Sequence, residues 1–296
     1  MTAGAGPQEL AFHGQPCLQI RLAQGDSAIV ALQGAHLLSW QTADAREQLY
    51  LSPKAMMDGS SAIRGGVPIC FPQFNQRVLG GQILPKHGFV RNLAWRLLDS
   101  RQTGALAEVR LGLQSGAVTL AVWPQQFAAV VTVTLEPGRL RIHFEVENTG
   151  PDAWLFALAL HSYLRVSDIA DVSLNGLAGL VYWDAVQHLH EPEKRLHQSA
   201  APLGFAGETD RVYADATTPI DLGHAAGGLQ ISQSASMPDV VVWNPGEKLS
   251  AAIADLPDDG FRHYVCVEAA SINQPVLLAP GAQWAGWQQL VATPAH

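Results

Sequence analysis

The chain has 296 residues, 48% hydrophobic and only 15% charged, with 27 glycines and a formal net charge of −8. Charge below the roughly 25% of ordinary soluble proteins suits strands and turns better than charge-faced helices, and the negative balance argues against a nucleic-acid or anionic-membrane surface. The cysteines, Cys17, Cys70 and Cys266, are three in number and lack CxxC spacing, which argues against a disulfide framework or a zinc knuckle.

Taken in chain order, residues 1–9 show neither the basic nor the apolar part of a secretory leader. They are expected to be a loose segment, and a reducing, cytoplasmic setting is expected for the whole. Strands are predicted over 27–33, 106–113 and 117–122. Next, Val131, Val133 and Leu135 alternate with polar residues, and so do Leu140, Ile142, Phe144 and Val146. Between these runs stands Pro137-Gly138, which suits a tight turn. Residues 128–147 are therefore predicted as a hairpin. The apolar run Trp154 to Leu160 is far too short to cross a bilayer. Further strands are predicted over 172–176, 228–234, 239–243, 249–253, 263–268 and 284–292. The polar stretch 184–208 reads as a surface loop, and Thr209–Tyr213 and Pro257–Phe261 as short helical turns. Many short strands without a linker, a repeat or a long helical stripe predict one all-β domain over 1–296, a large antiparallel β-sandwich.

The charge is unevenly placed. Between Lys54 and Arg96 there are six cations (Lys54, Arg64, Arg77, Lys86, Arg91 and Arg96) and one anion, Asp58. A basic island in an acidic chain suits a small anionic ligand, and a scattered solvated surface is the bland alternative. Four segments stand out from the strand background. Arg64-Gly65-Gly66-Val67-Pro68 couples a guanidinium to a backbone that can bend sharply and approach a ligand closely. Lys86-His87-Gly88-Phe89-Val90-Arg91 places two cations and an imidazole about a glycine, with an aromatic beside them. His161 ends an apolar run, where an imidazole's pKa is easily moved. Glu268 follows an apolar strand, and alternation puts it on one face with Tyr264 and Cys266. A carboxylate there is costly to bury without a partner. Singly, each of these residues is as well explained by a structural role. His188-Leu189-His190 could face a metal from one side of an extended segment, but no third ligand stands nearby. No phosphate-binding GxxxxGK[ST] loop, HExxH or GxSxG motif occurs.

The ordered set Arg64-Gly65-Gly66-Val67-Pro68, Pro85-Lys86-His87-Gly88-Phe89-Val90-Arg91-Asn92, Leu160-His161-Ser162-Tyr163, Thr209-Asp210-Arg211-Val212-Tyr213 and Val265-Cys266-Val267-Glu268 resembles the glucose-6-phosphate 1-epimerase family. This is the hexose-6-phosphate mutarotase branch of the aldose 1-epimerases. Gly34-Ala35-His36-Leu37 and Val242-Trp243-Asn244-Pro245 add to the likeness, which runs from about residue 10 to about residue 290. The resemblance implies a galactose-mutarotase-like supersandwich that interconverts the α and β anomers of a hexose 6-phosphate, with no cofactor and no metal. It implies His161 as acid and Glu268 as base, with Arg64, His87, Arg91 and Asp210 lining the substrate site. Lys86 departs from the family pattern, which has Gln before His-Gly, so phosphate contact by Lys86 is an expectation of charge alone. The partner is expected to be a small sugar phosphate and the protein a monomer, without nucleic acid or membrane. Two alternatives stay open: a mutarotase for neutral aldoses, and a non-catalytic carbohydrate-binding β-sandwich. A glycosidase would need two facing carboxylates, and only Glu268 is a candidate.

Overall fold

A computed structural model describes residues 6–294, apart from 60, 77 and 80. Arg77, one of the cations of the basic island, therefore lies outside the described residues. The alternating sequence builds two large sheets facing each other. The first runs in the order Ser173–Asn175, Ile220–His224, Gly227–Gln233, Gln283–Thr293, Arg139–Asn148, Phe127–Glu136, Ala107–Gln114, Arg96–Gln102. The second runs Leu196–His197, Val181–Asp184, Thr209–Tyr213, Asp239–Asn244, Tyr264–Leu278, Trp154–Leu160, Ile69–Cys70, and Tyr163–Arg165 also pairs with Tyr264–Leu278. Neighbouring strands are antiparallel throughout both sheets. The architecture is the all-β antiparallel sandwich expected from the periodicity.

Period two explains why the two sheets close on each other. Val131, Val133 and Leu135 point inward from one strand of the predicted hairpin, and Leu140, Ile142, Phe144 and Val146 from the other. Glu136 pairs with Arg139 at the hairpin end, where Gly138 takes φ 62°. From the second sheet, Val240, Val242, Val265, Val267 and Ala269 complete the same core. Their sequence neighbours point the other way. Tyr264 and Cys266 enter a small aromatic cluster with Tyr50 and Tyr163, while Val241 and Ala270 enter another with Val212, Cys70 and Phe74. The outer face of the second sheet is thus apolar at both ends, and Glu268 lies between them. A four-stranded sheet, Gln8–Phe12, Gln15–Arg21, Ser27–Ala31, His36–Gln41, flanks the sandwich.

Four expectations need correction. Residues 117–122 form a helix, Ala117–Val122, not a strand. The Thr119 hydroxyl accepts from Gly116 N–H at 2.8 Å and closes its first turn. The expected strand 249–253 falls mostly in a second short helix, Gly246–Ala252, begun by Asn244 Oδ1 accepting from Gly246 N–H at 2.9 Å. Helices of six or seven residues are too short to show a 3.6-residue period. Conversely, Thr209–Tyr213 is a strand rather than a helical turn. Asp210 and Arg211 interrupt its hydrophobic alternation, but Thr209, Val212 and Tyr213 favour the pleated surface. Finally, residues 8 and 9 belong to the strand Gln8–Phe12, which pairs with Gln15–Arg21, so this end of the 1–9 segment is tied down. Near Pro257–Phe261 a 3-10 turn covers Gly260–His263.

Candidate active site

The strand register assembles the site. Asp210 pairs with Trp243, Trp243 with Cys266, and Cys266 with Tyr163. Side chains of directly opposed residues share a face, so these four form one row across four strands. Glu268, two residues beyond Cys266, begins the next row opposite Val241. His161 stands in the turn between Trp154–Leu160 and Tyr163–Arg165, its N–H donating to Pro68 O at 3.0 Å. Its Nε2 lies 3.3 Å from Glu268 Oε1. The two groups are 8% and 1% exposed, respectively.

The Arg64-to-Pro68 segment is sewn to three neighbours. Gly66 N–H donates to Tyr50 O at 2.7 Å, Val67 N–H to Leu37 O at 2.8 Å, and Tyr163 N–H to Gly66 O at 2.9 Å. At Gly66, φ is 60° and an added Cβ would fall 2.2 Å from Leu37 O, so only glycine permits this contact. His36 braces the bend from beneath, its Nε2 2.7 Å from Gly65 O. Burial pushes its pKa down to about 4, so the ring is a neutral Nε2–H donor.

The His87 segment is held in a comparable way. His87 itself adopts φ 63°, a left-handed conformation that non-glycine residues keep only when their surroundings enforce it. Its N–H donates to Asn75 O at 3.1 Å, and Asn75 N–H returns a bond to His87 Nδ1 at 3.3 Å. Burial, reinforced by Arg91, Lys86 and Arg64, lowers its pKa to about 3. With Nδ1 accepting and the ring neutral, the proton resides on Nε2. His87 meets His161 edge to face at 5.6 Å.

The expected site residues therefore converge, with differing engagement. Arg64 donates from Nε to Asp255 Oδ1 at 3.1 Å and from Nη1 to the Tyr163 hydroxyl at 3.1 Å. Arg91 donates from Nη2 to Lys86 O at 2.9 Å, while its buried Nε finds no acceptor among the described residues. Lys86 is exposed, but its charge opposes the rise of the Asp210 pKa. Asp210 is pushed up to about 6, chiefly by burial. Sequence reasoning gave no role to Tyr163, Trp243 and Asp255. Tyr163 stacks on His161 with centroids 4.9 Å apart and planes at 11°. Trp243 meets the same imidazole edge-on at 5.9 Å. Alternation from Cys266 and Glu268 could have pointed to the Tyr163 row, but nothing local to Asp255 marks it as the partner of Arg64.

Burial works against both charged forms of the central pair. It lowers the His161 pKa well below the usual histidine value, helped by His87, Arg91 and Arg64. It raises that of Glu268 well above the usual carboxylate value, helped by Asp210. Both shifts disfavour the charged forms, imidazolium and carboxylate, that an acid–base pair is first expected to hold. The 3.3 Å contact brings the two groups within reach of a common proton. His161 Nδ1 and Glu268 Oε2 are buried with no hydrogen-bond partner among the described residues, which leaves both groups with unused capacity. For a metal, the described residues offer one cluster, His161, Cys266 and Glu268, whose donor atoms all lie within 4.8 Å of one another. His188, from the pair considered in the sequence, instead engages Glu191 through Nδ1 at 3.0 Å. No helix among the described residues is long and apolar enough to cross a membrane.

Comparison with known proteins gives the family. A family model described as aldose 1-epimerase matches residues 16–291. A protein of Cenchrus ciliaris named "Putative glucose-6-phosphate 1-epimerase" is 33% identical over 285 residues, covering 93% of this chain and 84% of its own. A protein of the same name from Escherichia coli (strain K12) is 36% identical over 252 residues, covering 83% and 80%. A Salmonella typhimurium crystal structure, described as a "putative mutarotase", superposes with a TM-score of 0.87 at 30% identity, covering 98% of this chain and 94% of that one. The chain belongs to the aldose 1-epimerase family.

Proposed function

We propose that the protein is a mutarotase for a hexose 6-phosphate, with glucose 6-phosphate the foremost candidate, and that His161 and Glu268 carry out the proton transfers. The observation that carries this reading is the buried His161–Glu268 contact of 3.3 Å on a floor rimmed by Arg64, Lys86 and Arg91. The names of the relatives support the same substrate class.

Mutarotation requires neither redox chemistry nor a covalent intermediate. One group removes the proton of the C1 hydroxyl while the other protonates the ring oxygen O5. The C1–O5 bond breaks, C1 becomes an aldehyde, and the C1–C2 bond rotates. The ring then closes on the opposite face as the protons return. A pair holding one proton suffices, because whichever member is unprotonated serves as base and the other as acid. In the sense first expected, His161 is the acid and Glu268 the base, and the reverse sense exchanges the roles. A positioned group of this kind contributes about 10²–10⁴-fold. His87, with its Nε2–H, and Asp210 are suited to holding sugar hydroxyls. The guanidinium of Arg91 and the ammonium of Lys86 suit a dianionic phosphate remote from C1. Binding energy gained there holds the ring in register for the proton transfers.

The test is NMR exchange spectroscopy on glucose, galactose, mannose and their 6-phosphates. Faster anomer interconversion of the 6-phosphates, above the buffer rate, is expected. Equal rates on the neutral sugars would transfer the reading to a neutral-aldose mutarotase. No acceleration of any of the six would leave a carbohydrate-binding sandwich.

A further inference from the structure

Cys266 has no part in the proton transfers, yet it stands between them and the aromatic cluster. Strand alternation places it on the Glu268 face, and register places it opposite Tyr163, next to the turn that carries His161. Its thiol is free and fully buried. None of the three thiols is joined in a disulfide. Cys17 lies in the flanking sheet, and Cys70 pairs with Ala159, whose other neighbour is Ala270 rather than Cys266. Disulfide chemistry therefore does not account for a thiol at this point.

The neighbours supply a different chemistry. The nitrogen of His161, the sulfur of Cys266 and a carboxylate oxygen of Glu268 all lie within 4.8 Å of one another. In a tetrahedral zinc site, nitrogen and oxygen ligands at about 2.0–2.1 Å from the ion are separated by about 3.3 Å along the edge, and a thiolate at about 2.3 Å stands about 3.6 Å from either. The His161–Glu268 edge already measures 3.3 Å, so only the sulfur has to close in. Each group keeps one buried polar atom without a hydrogen-bond partner among the described residues, His161 Nδ1 and Glu268 Oε2, and Glu268 is 1% exposed. His161, at 8% exposure, is the side from which an ion would enter.

We propose that His161, Cys266 and Glu268 form an inhibitory site for a zinc-class divalent ion within the candidate active site. A mixed nitrogen, sulfur and oxygen donor set selects borderline-soft ions over magnesium or calcium, which require oxygen ligands. The ion binds as the thiol gives up its proton to solvent, leaving the fourth position to water. Occupancy removes both groups needed for proton transfer at once: the imidazole lone pair and the carboxylate are committed to the metal. The ion and the sugar cannot both be served, so zinc acts as a competitive off-switch and not as a cofactor. The inhibition part of this proposal rests on the mutarotase reading, whereas the binding part does not.

Binding is tested with Co²⁺ alone as an optical probe on the full chain. One equivalent is expected to give a thiolate-to-cobalt charge-transfer band that Zn²⁺ abolishes. The band should survive Cys17→Ser and Cys70→Ser and disappear in Cys266→Ser. His161→Asn, which leaves the thiol in place, should weaken cobalt binding about 10-fold or more. In the exchange assay, Zn²⁺ should inhibit reversibly on adding EDTA. Referred to each protein's own metal-free rate, the inhibition constant should rise about 10-fold or more in Cys266→Ser. A wild type without the band, or a band that persists in Cys266→Ser, would overturn the site. Should Cys266→Ser lack native circular dichroism, unchanged cobalt affinity in His161→Asn would do the same. An intact band in a protein without mutarotase activity would refute the functional reading and leave the metal site standing.

Discussion

The Tyr163 ring lies parallel to that of His161 at 4.9 Å while its hydroxyl accepts from Arg64 at 3.1 Å. One side chain thus sets the plane of the imidazole and the direction of the guanidinium. Tyr163→Phe keeps the stack and deletes the bond. It should raise KM for glucose 6-phosphate about 3- to 10-fold, in line with a lost charged hydrogen bond, with little change in kcat. Tyr163→Leu removes the stack as well and should also lower kcat. Steady-state kinetics on the two variants separate these roles, and identical effects would show that the stack is immaterial.

The central pair should be indispensable. Glu268→Gln and His161→Asn are each expected to lose about 10²-fold or more in exchange rate while circular dichroism stays native. A near-normal rate in either variant would remove that residue from the chemistry.

Lys86 is exposed, so its effect should be one of charge. Lys86→Gln should raise KM for glucose 6-phosphate at low ionic strength with kcat nearly unchanged. The difference from wild type should shrink as salt is added, because mobile ions screen an exposed ammonium. Equal KM values at low salt would assign phosphate recognition to the arginines.

His36 predicts a pH-dependent stability. Its unfolded pKa lies at the ordinary histidine value of 6.5, whereas burial holds it at about 4 in the fold. Between those values the unfolded chain binds more protons, so stability falls as pH drops through this window. From about pH 8 to about pH 5 the loss attributable to this ring is about 2 kcal/mol. Urea unfolding at both pH values should show a smaller pH difference, by about that amount, in His36→Gln. An unchanged difference would refute the assignment.

Gly88 packs against the Phe71 carbonyl with φ 71°, and a Cβ there would fall 1.9 Å from that oxygen. Gly88→Ala should cost about 2–4 kcal/mol in urea unfolding and weaken substrate binding, because the same turn presents His87. A loss below about 0.5 kcal/mol would show that the turn relaxes freely.

Much of this arrangement was legible from the residues. The alternation of 128–147 defined both the hairpin and its buried face, because a half-buried strand repeats every two residues whatever surrounds it. His161, Glu268, Arg64, His87, Arg91 and Asp210 are legible through ordered motifs rather than local physics. What stayed hidden was contingent on distance along the chain. Thr209–Tyr213 reads as a turn until Val181–Asp184 and Asp239–Asn244 flank it. Arg64 reads as a free cation of the substrate site until Asp255, far along the chain, takes its Nε. The proton arrangement of the His161–Glu268 pair was equally hidden, since it depends on how completely water is excluded, and no sequence pattern encodes that.

The strand Tyr264–Leu278 carries the main core on one face and Glu268 on the other. Val267, beside Glu268, is further fixed by donating to Ser162 O and by accepting from Gln288 Nε2. The amide protons around Glu268 should therefore exchange with solvent only when the whole molecule opens, whereas those of the Pro85–Gly88 turn should exchange through small local openings. The chain thus splits its labour between a slow-exchanging anvil that fixes where protons move and a faster rim that can adapt to what is bound, so changes of substrate can accumulate at the rim without disturbing the anvil.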